Sequence, residues 1–318
     1  MTPQRAPRSF LRLVWATLMV TLIVIAWGAL VRATRSGAGC GTDWPHCNGQ
    51  AIPIDASAKT LIEYTHRITS GMVMLLALAV SWTARKLRGP TRTWAHVALG
   101  FMLLEAALGA ALVKFGLVVD NDSLARAIVM SLHLVNTLLL IGAQAMCLWF
   151  AGGGAPLSLK GRGPEKWLWF GAIAAFLLLG VTGALTALGD TLFPVDTIRD
   201  GIAQHREAEH PLLRLRVWHP LLALTIGGGL FGWAAWLKRR RPSPEVGRWA
   251  TAVQLIYVAQ IMVGVINLVL LAPVAMQLFH LLMADLSWIS IIFLGAASLG
   301  GAPAEAVEEA PSGEVRAA

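Results

Sequence analysis

Residues 249–284 read WATAVQLIYVAQIMVGVINLVLLAPVAMQLFHLLMA, a run without Asp, Glu, Lys or Arg. A bilayer core of about 30 Å takes about 20 helical residues, so the run is too long for one crossing. Pro273 cannot continue a helix, and the run is read as a hairpin of two spans. Uncharged stretches at 13–31, 68–84, 127–150, 167–189 and 217–237, with 93–113 interrupted only by Glu105, supply six more. The count is eight.

Composition agrees. Of 318 residues, 56% are apolar and only 14% charged, with 13 Trp against 2 Tyr. A soluble domain carries about 25% charged residues. The sequence therefore belongs to a polytopic, all-α membrane protein.

Basic residues orient the bundle. Arg5, Arg8 and Arg12, then Arg85, Lys86, Arg88 and Arg92, then Lys160, Arg162 and Lys166, then Lys238 to Arg241 with Arg248, fall on one side. The opposite loops balance their bases with Asp43, Asp55, Asp120, Asp122, Asp196, Asp200, Glu207 and Glu209. The positive-inside bias predicts both termini in the cytoplasm and a cell inner membrane location. The net charge of +8 reflects that bias, and no basic domain exists to bind nucleic acid. The first segment is read as a true span, since no small-x-small site follows it. Residues 300–318, rich in Ala, Glu, Pro and Gly, are expected to be a disordered cytoplasmic tail.

An internal repeat divides the chain. Gly28-Ala29-Leu30 matches Gly183-Ala184-Leu185, His66 matches His219, Glu105-xxx-Gly109 matches Gln260-xxx-Gly264, and His133 matches His280, at offsets of 155, 153, 155 and 147 residues. Four spans separate the equivalents, so the expected fold is eight transmembrane helices in two tandem four-helix bundles related by a pseudo-two-fold repeat. The expected segments are an N-terminus at 1–12, a first half at 13–155 with an outer cysteine loop at 32–62, and a second half at 156–299.

Each half owns one histidine pair, His66 with His133 and His219 with His280. An imidazole at membrane depth is functional by default. A histidine bonded to a carbonyl is the ordinary alternative for any one of them, but four in register favour ligands. Zinc lacks a carboxylate or thiolate to complete a tetrahedral set. Haem iron, taking two axial nitrogens, uses all four histidines. Arg67 in the first half, and Arg214 and Arg216 in the second, are candidates to hold haem propionates, with snorkelling to headgroups as the competing role.

The halves differ beside their first histidines. Glu63 precedes His66 by three residues on the same helical face, and the equivalent position in the second half is Arg216. A carboxylate there can move protons or stabilise a cation, whereas an arginine would anchor anions. The first half is read as reactive and the second as an electron-transfer site. Asn136, Gln144, Gln260 and Asn267 are read as helix glue, with Glu105 and Asp285 as acids within spans and Glu105 set apart because its repeat mate is the neutral Gln260. Cys147 is read as inert packing, His46, His96, His205 and His210 as solvated, and Gly227-Gly228-Gly229 as a close-packing stripe.

Together these residues resemble the haem A synthases, which oxidise a methyl of haem O to a formyl group. The marks are Gly28-Ala29-Leu30-Val31-Arg32, Gly39-Cys40, Asp43-Trp44-Pro45-x-Cys47, Glu63-x-x-His66-Arg67 and the three later histidines, and the resemblance spans 12–299. It implies a haem O substrate framed by His66 and His133, a haem b cofactor held by His219 and His280, and Glu63 as the acid beside the reacting methyl. It further implies a reversible Cys40–Cys47 pair near the substrate mouth, a role for which a plain structural disulfide fits the sequence equally well. Loop 190–216 has no cysteines, so a relay needing a second pair is ruled out. The implied partners are haem O synthase, cytochrome oxidase assembly factors and an electron partner outside the chain, with a homo-oligomer left open. Two rival readings are a di-haem b protein exchanging electrons with quinol, and a repeat-built transporter, ranked last because all four histidines sit near the outer surface.

Overall fold

The computed structural model describes residues 5–54, 56–207 and 210–301. Asp55, Glu209 and residues 302–318 of the tail expected at 300–318 lie outside the described residues. Among the described residues ten helices follow in order: α1 (Arg8–Ala33), α2 (Ala58–Ala84), α3 (Pro90–Lys114), α4 (Leu124–Ala151), α5 (Pro164–Leu192), α6 (Ile198–Arg206), α7 (Pro211–Leu215), α8 (Trp218–Arg240), α9 (Pro244–Val269) and α10 (Val274–Leu299). Among the described residues, eight crossings are long and apolar enough to span a membrane, α7 and α8 forming one of them.

Local chemistry sets the boundaries. The hydroxyls of Ser57, Ser123 and Ser243 accept the Thr60, Arg126 and Val246 amides at the starts of α2, α4 and α9, satisfying orphan donors of the first turn. Pro90, Pro164 and Pro244 occupy first-turn positions, where a missing N–H costs nothing. The expected hairpin in 249–284 turns through Leu271 and Ala272, both left-handed at φ 60° and 56°. Asn267 O accepts the Ala272 amide at 2.7 Å, and Gln277 Nε2 donates to Ala272 O at 2.6 Å. Pro273 then starts α10 rather than kinking a helix.

The order of helix packing is consistent with the expected repeat. In the first half α1 packs on α2, α2 on α3, α3 on α4, and α4 returns to α1; in the second, α5 packs on α8, α8 on α9, α9 on α10, and α10 returns to α5. The halves meet through α4 and α10, the most buried crossings, flanked by α1 and α5. Trp288 of α10 donates to Leu138 O of α4 at 2.6 Å and stacks on Phe176 of α5. At the end of the bundle that carries the cysteines, Arg32 of α1 reaches across to Ala187 O, Thr191 Oγ1 and Gln277 Oε1 at 2.9, 2.6 and 2.7 Å. At the opposite, basic end, the 152–163 linker is bound to the close of α10: Ser158 donates to Leu299 O, and buried Arg162 donates to the carbonyls of Ser298, Gly300 and Gly301.

Three expectations are corrected. The 190–216 loop is not plain: α5 runs to Leu192, and α6 and α7 follow, capped by the Thr197 hydroxyl and the His210 ring. Of the histidines read as solvated, only His46 is exposed. His96 bonds Ser81 Oγ at 2.7 Å, His205 bonds Leu213 O at 3.1 Å, and His210 caps α7 against the Phe193 ring, because each sits where a helix packs over it. Within the glycine stripe, only Gly227 serves close packing: a Cβ there would meet the Tyr257 ring at 2.3 Å, while Gly228 and Gly229 have nothing within 4 Å. Two of the four amides behave as glue, Gln144 donating to Thr21 Oγ1 at 3.0 Å and Asn136 to Phe101 O at 2.9 Å. Cys147 is buried with its thiol toward Thr91 O.

Candidate functional site

Every second long helix carries one of the four histidines near its N-terminal end: His66 on α2, His133 on α4, His219 on α8 and His280 on α10. All four are half-buried. The structure brings them together in the expected pairs, His66 within electrostatic reach of His133 and His219 of His280. In the second half the ring centroids are 6.3 Å apart and the planes 87° to one another. One metal bonded to both rings at about 2 Å per bond, with about 1 Å from nitrogen to ring centre, needs about 6 Å.

What seats the rings is a glycine on the neighbouring helix. A Cβ added at Gly28 of α1 would meet His66 Cε1 at 3.0 Å, one at Gly183 of α5 would meet His219 Cε1 at 2.9 Å, and one at Gly264 of α9 would meet His280 Cε1 at 3.0 Å. Those rings lie flush on backbone, where the close packing of a protein interior leaves no room for a methyl group. Gly109 of α3 faces His133 in the same way but from farther off, at 3.8 Å. The sequence exposed these glycines as marks of the repeat. Their function was missed because it depends on which helix lies next to which.

The second nitrogens are sparsely partnered. Thr182 Oγ1 bonds His219 Nδ1 at 3.2 Å, whereas the Nδ1 atoms of His66, His133 and His280 are buried without a hydrogen bond. Buried polar atoms are rarely left so, and an imidazole with an unmet nitrogen suits a ligand-binding role. Behind His133 stands Glu105, whose Oε1 lies 3.3 Å from Nδ1 but off the line of a hydrogen bond. Asn136 and Thr137 each donate to the Glu105 carboxylate at 2.5 Å. The repeat mate Gln260 places its Nε2 3.4 Å from His280 Nε2. Among the described residues, no group of three or more His, Cys, Asp or Glu side chains could hold a metal ion. Paired imidazoles are thus the donor set, and they fit a haem better than a bare cation.

The outer cysteine loop rests on the start of α2. Cys40 and Cys47 form a disulfide, and both are fully buried. Gly39 lies so close to α2 that a Cβ would meet Lys59 O at 2.6 Å, and Thr60 Oγ1 donates to Gly39 O at 2.9 Å. That seat brings the Cys40 amide to Glu63 Oε2 at 2.8 Å. Arg67 grips the other oxygen, Nη2 at 2.6 Å and Nε at 3.2 Å, and spends Nη1 on the carbonyls of Asp43 and His46. Glu63, 3% exposed, thus joins the disulfide loop to the turn that presents His66. In the second half Arg216 stands in its place, donating to Gln204 Oε1, Gly189 O and Phe193 O and paired with Asp190 at 3.1 Å. Arg214 is exposed on α7.

An eight-crossing helical bundle with a duplicated imidazole-pair unit defines a class of membrane protein, and comparison with known proteins narrows it. The model of the family COX15-CtaA, cytochrome oxidase assembly protein, matches residues 11–292, and the chain belongs to that family. Over 289 residues, 90% of this chain, it is 44% identical to a Protoheme IX farnesyltransferase of Thermus thermophilus. The chain spans about half of that relative's length, 48%. Over 95 residues it is 44% identical to a Heme A synthase of Exiguobacterium sp., covering 29% of this chain and 32% of that protein. Over 99 residues it is 44% identical to the Heme A synthase of Halalkalibacterium halodurans, covering 30% and 33%.

Proposed function

We propose that the protein is a haem A synthase, oxidising a methyl of haem O to a formyl group in two successive two-electron steps. One observation carries the reading. The two imidazole pairs differ three residues before their first histidine, where Glu63 bonds the Cys40 amide and Arg67 in one half and Arg216 pairs with Asp190 in the other. Haem O as substrate would lie between His66 and His133, and a haem b cofactor between His219 and His280. Bound there, haem b supplies one-electron transfer toward an outside partner.

The chain's own residues do the rest. Both of Glu63's partners are donors, so its carboxylate is held as an acceptor, suited to face developing positive charge as the methyl is oxidised; taking a proton instead would require one of those donors to let go. The Cys40–Cys47 loop covers Glu63 and keeps water from it. Arg67, Arg214 and Arg216 are the proposed propionate contacts, and Arg67 and Arg216 would each have to exchange a present partner to serve. The farnesyl tail would run along lipid-facing grooves. The proposed segments are 13–155 as substrate half and 156–299 as cofactor half, in a cell inner membrane with both termini cytoplasmic. A relative that joins a segment like this one to as much further chain under the name Protoheme IX farnesyltransferase supports a haem O synthase as the neighbour that delivers substrate.

General acid–base groups contribute about 10²–10⁴-fold to rate, so Glu63→Gln is expected to retain both haems yet lower haem A yield by about 100-fold. Pigment extraction from purified variant and parent reads both quantities, and wild-type yield from the variant would remove the assigned role. A second reading, a di-haem b protein serving quinol, gains support from Glu63's bonds to Cys40 and Arg67, which could be purely structural. It requires that no haem O or haem A ever be extracted.

A further inference from the structure

Three of the four imidazoles are clamped and one is not. His66, His219 and His280 each press on a glycine so closely that a methyl group there would sit 2.9–3.0 Å from the ring, whereas behind His133 the same methyl would find ordinary contact at 3.8 Å. A ring flush on backbone cannot swing toward its neighbour helix without moving that helix; a ring with a methyl-sized space behind it can tilt into it. His133 also has a destination. Glu105, one helical turn before Gly109, stands 3.3 Å from Nδ1, off hydrogen-bond alignment in the present pose and within reach of a modest rotation. Asn136 and Thr137 hold that carboxylate still. The equivalent place in the second half holds the neutral Gln260, under a ring that Gly264 clamps.

We infer that His133 is the exchangeable axial ligand of the first site and His66 the fixed one. The assignment rests on the proposed haem-binding reading and adds which side of the substrate opens. When substrate enters or product leaves, the bond between iron and the His133 nitrogen breaks, its electron pair stays with the imidazole, and the ring N–H turns to Glu105. No oxidant or reductant is involved. His66, seated on Gly28, keeps the porphyrin in register with Glu63 throughout. Glu105 is then a positioning residue, acting through His133, and the second site has no counterpart because its haem is a resident.

The test loads purified full-length protein with haem b and reads haem per chain and spin state by absorbance and electron paramagnetic resonance, the second site serving as internal standard for folding. His133→Ala is expected to keep the first-site haem but turn it from low-spin to high-spin. His66→Ala is expected to lose that haem while the second site stays full. Loss in both variants, retention in both, or the reverse pattern overturns the assignment. A second measurement leaves both ligands in place: carbon monoxide binding to the reduced first-site haem should be slower in Gly109→Ala, whose methyl fills the space His133 needs, and an unchanged or faster rate counts against the inference. A wild-type protein that takes haem only at His219 and His280 contradicts the proposed function itself, and the assignment falls with it.

Discussion

Glycine at 183 is the smallest feature on which the second site depends. A methyl group 2.9 Å from His219 Cε1 must displace either the ring or α5, so Gly183→Ala is expected to lower haem b retention, whereas Gly228→Ala, with nothing within 4 Å, should leave it unchanged. Haem-to-protein ratio after purification checks both, and equal retention would mean the ring does not need its seat. At this scale the sequence was only half legible. Paired histidines and the Glu63-for-Arg216 exchange could be read because titratable residues inside apolar segments are rare. Gly28, Gly109, Gly183 and Gly264 stood out only as repeat marks, since a glycine's neighbour on another helix leaves no trace in local pattern. Glu63's bond to the Cys40 amide was hidden for the same reason: residues 40 and 63 meet only once Gly39 has laid the loop on α2.

Among the helices, α4 and α10 join the halves, and their crossings admit large indoles beside bare backbone. Trp169 of α5 lies against Gly295 of α10 so closely that a Cβ would fall 1.9 Å from the indole nitrogen. Overpacking of this kind costs about 1–3 kcal/mol, and Gly295→Ala should lower thermal stability in detergent accordingly. An unchanged melting temperature would show that Trp169 relocates freely. The long helices were legible because an uncharged run of membrane length has few other fates, and Pro273 marked the hairpin. Helices α6 and α7 were not: α6 is short and polar, α7 is a five-residue turn, and each is held by a single cap at Thr197 or His210, so neither is long enough to stand out from loop. His205 and His210 were misjudged with them, as loop histidines become packed ones when the loop is folded, and His96 was misjudged because its partner Ser81 lies on the neighbouring helix α2.

Across the whole molecule, Arg32 ties α1 of the first half to α5 and α10 of the second at the end that carries the Cys40–Cys47 loop. Arg32→Met removes a charged donor from three acceptors and should destabilise the protein by about 1–3 kcal/mol, read as a lower melting temperature with each half still helical. Retained stability would indicate that α4 and α10 suffice to hold the halves together. The tandem arrangement itself was legible from offsets between equivalent residues, and the helix packing order repeats as those offsets require. The centre of the account is that one half holds substrate and the other a resident cofactor. Extracting the pigments of protein purified from cells that make haem O tests this most directly. Haem b accompanied by haem O or haem A is the predicted result; haem b alone at both sites would contradict it.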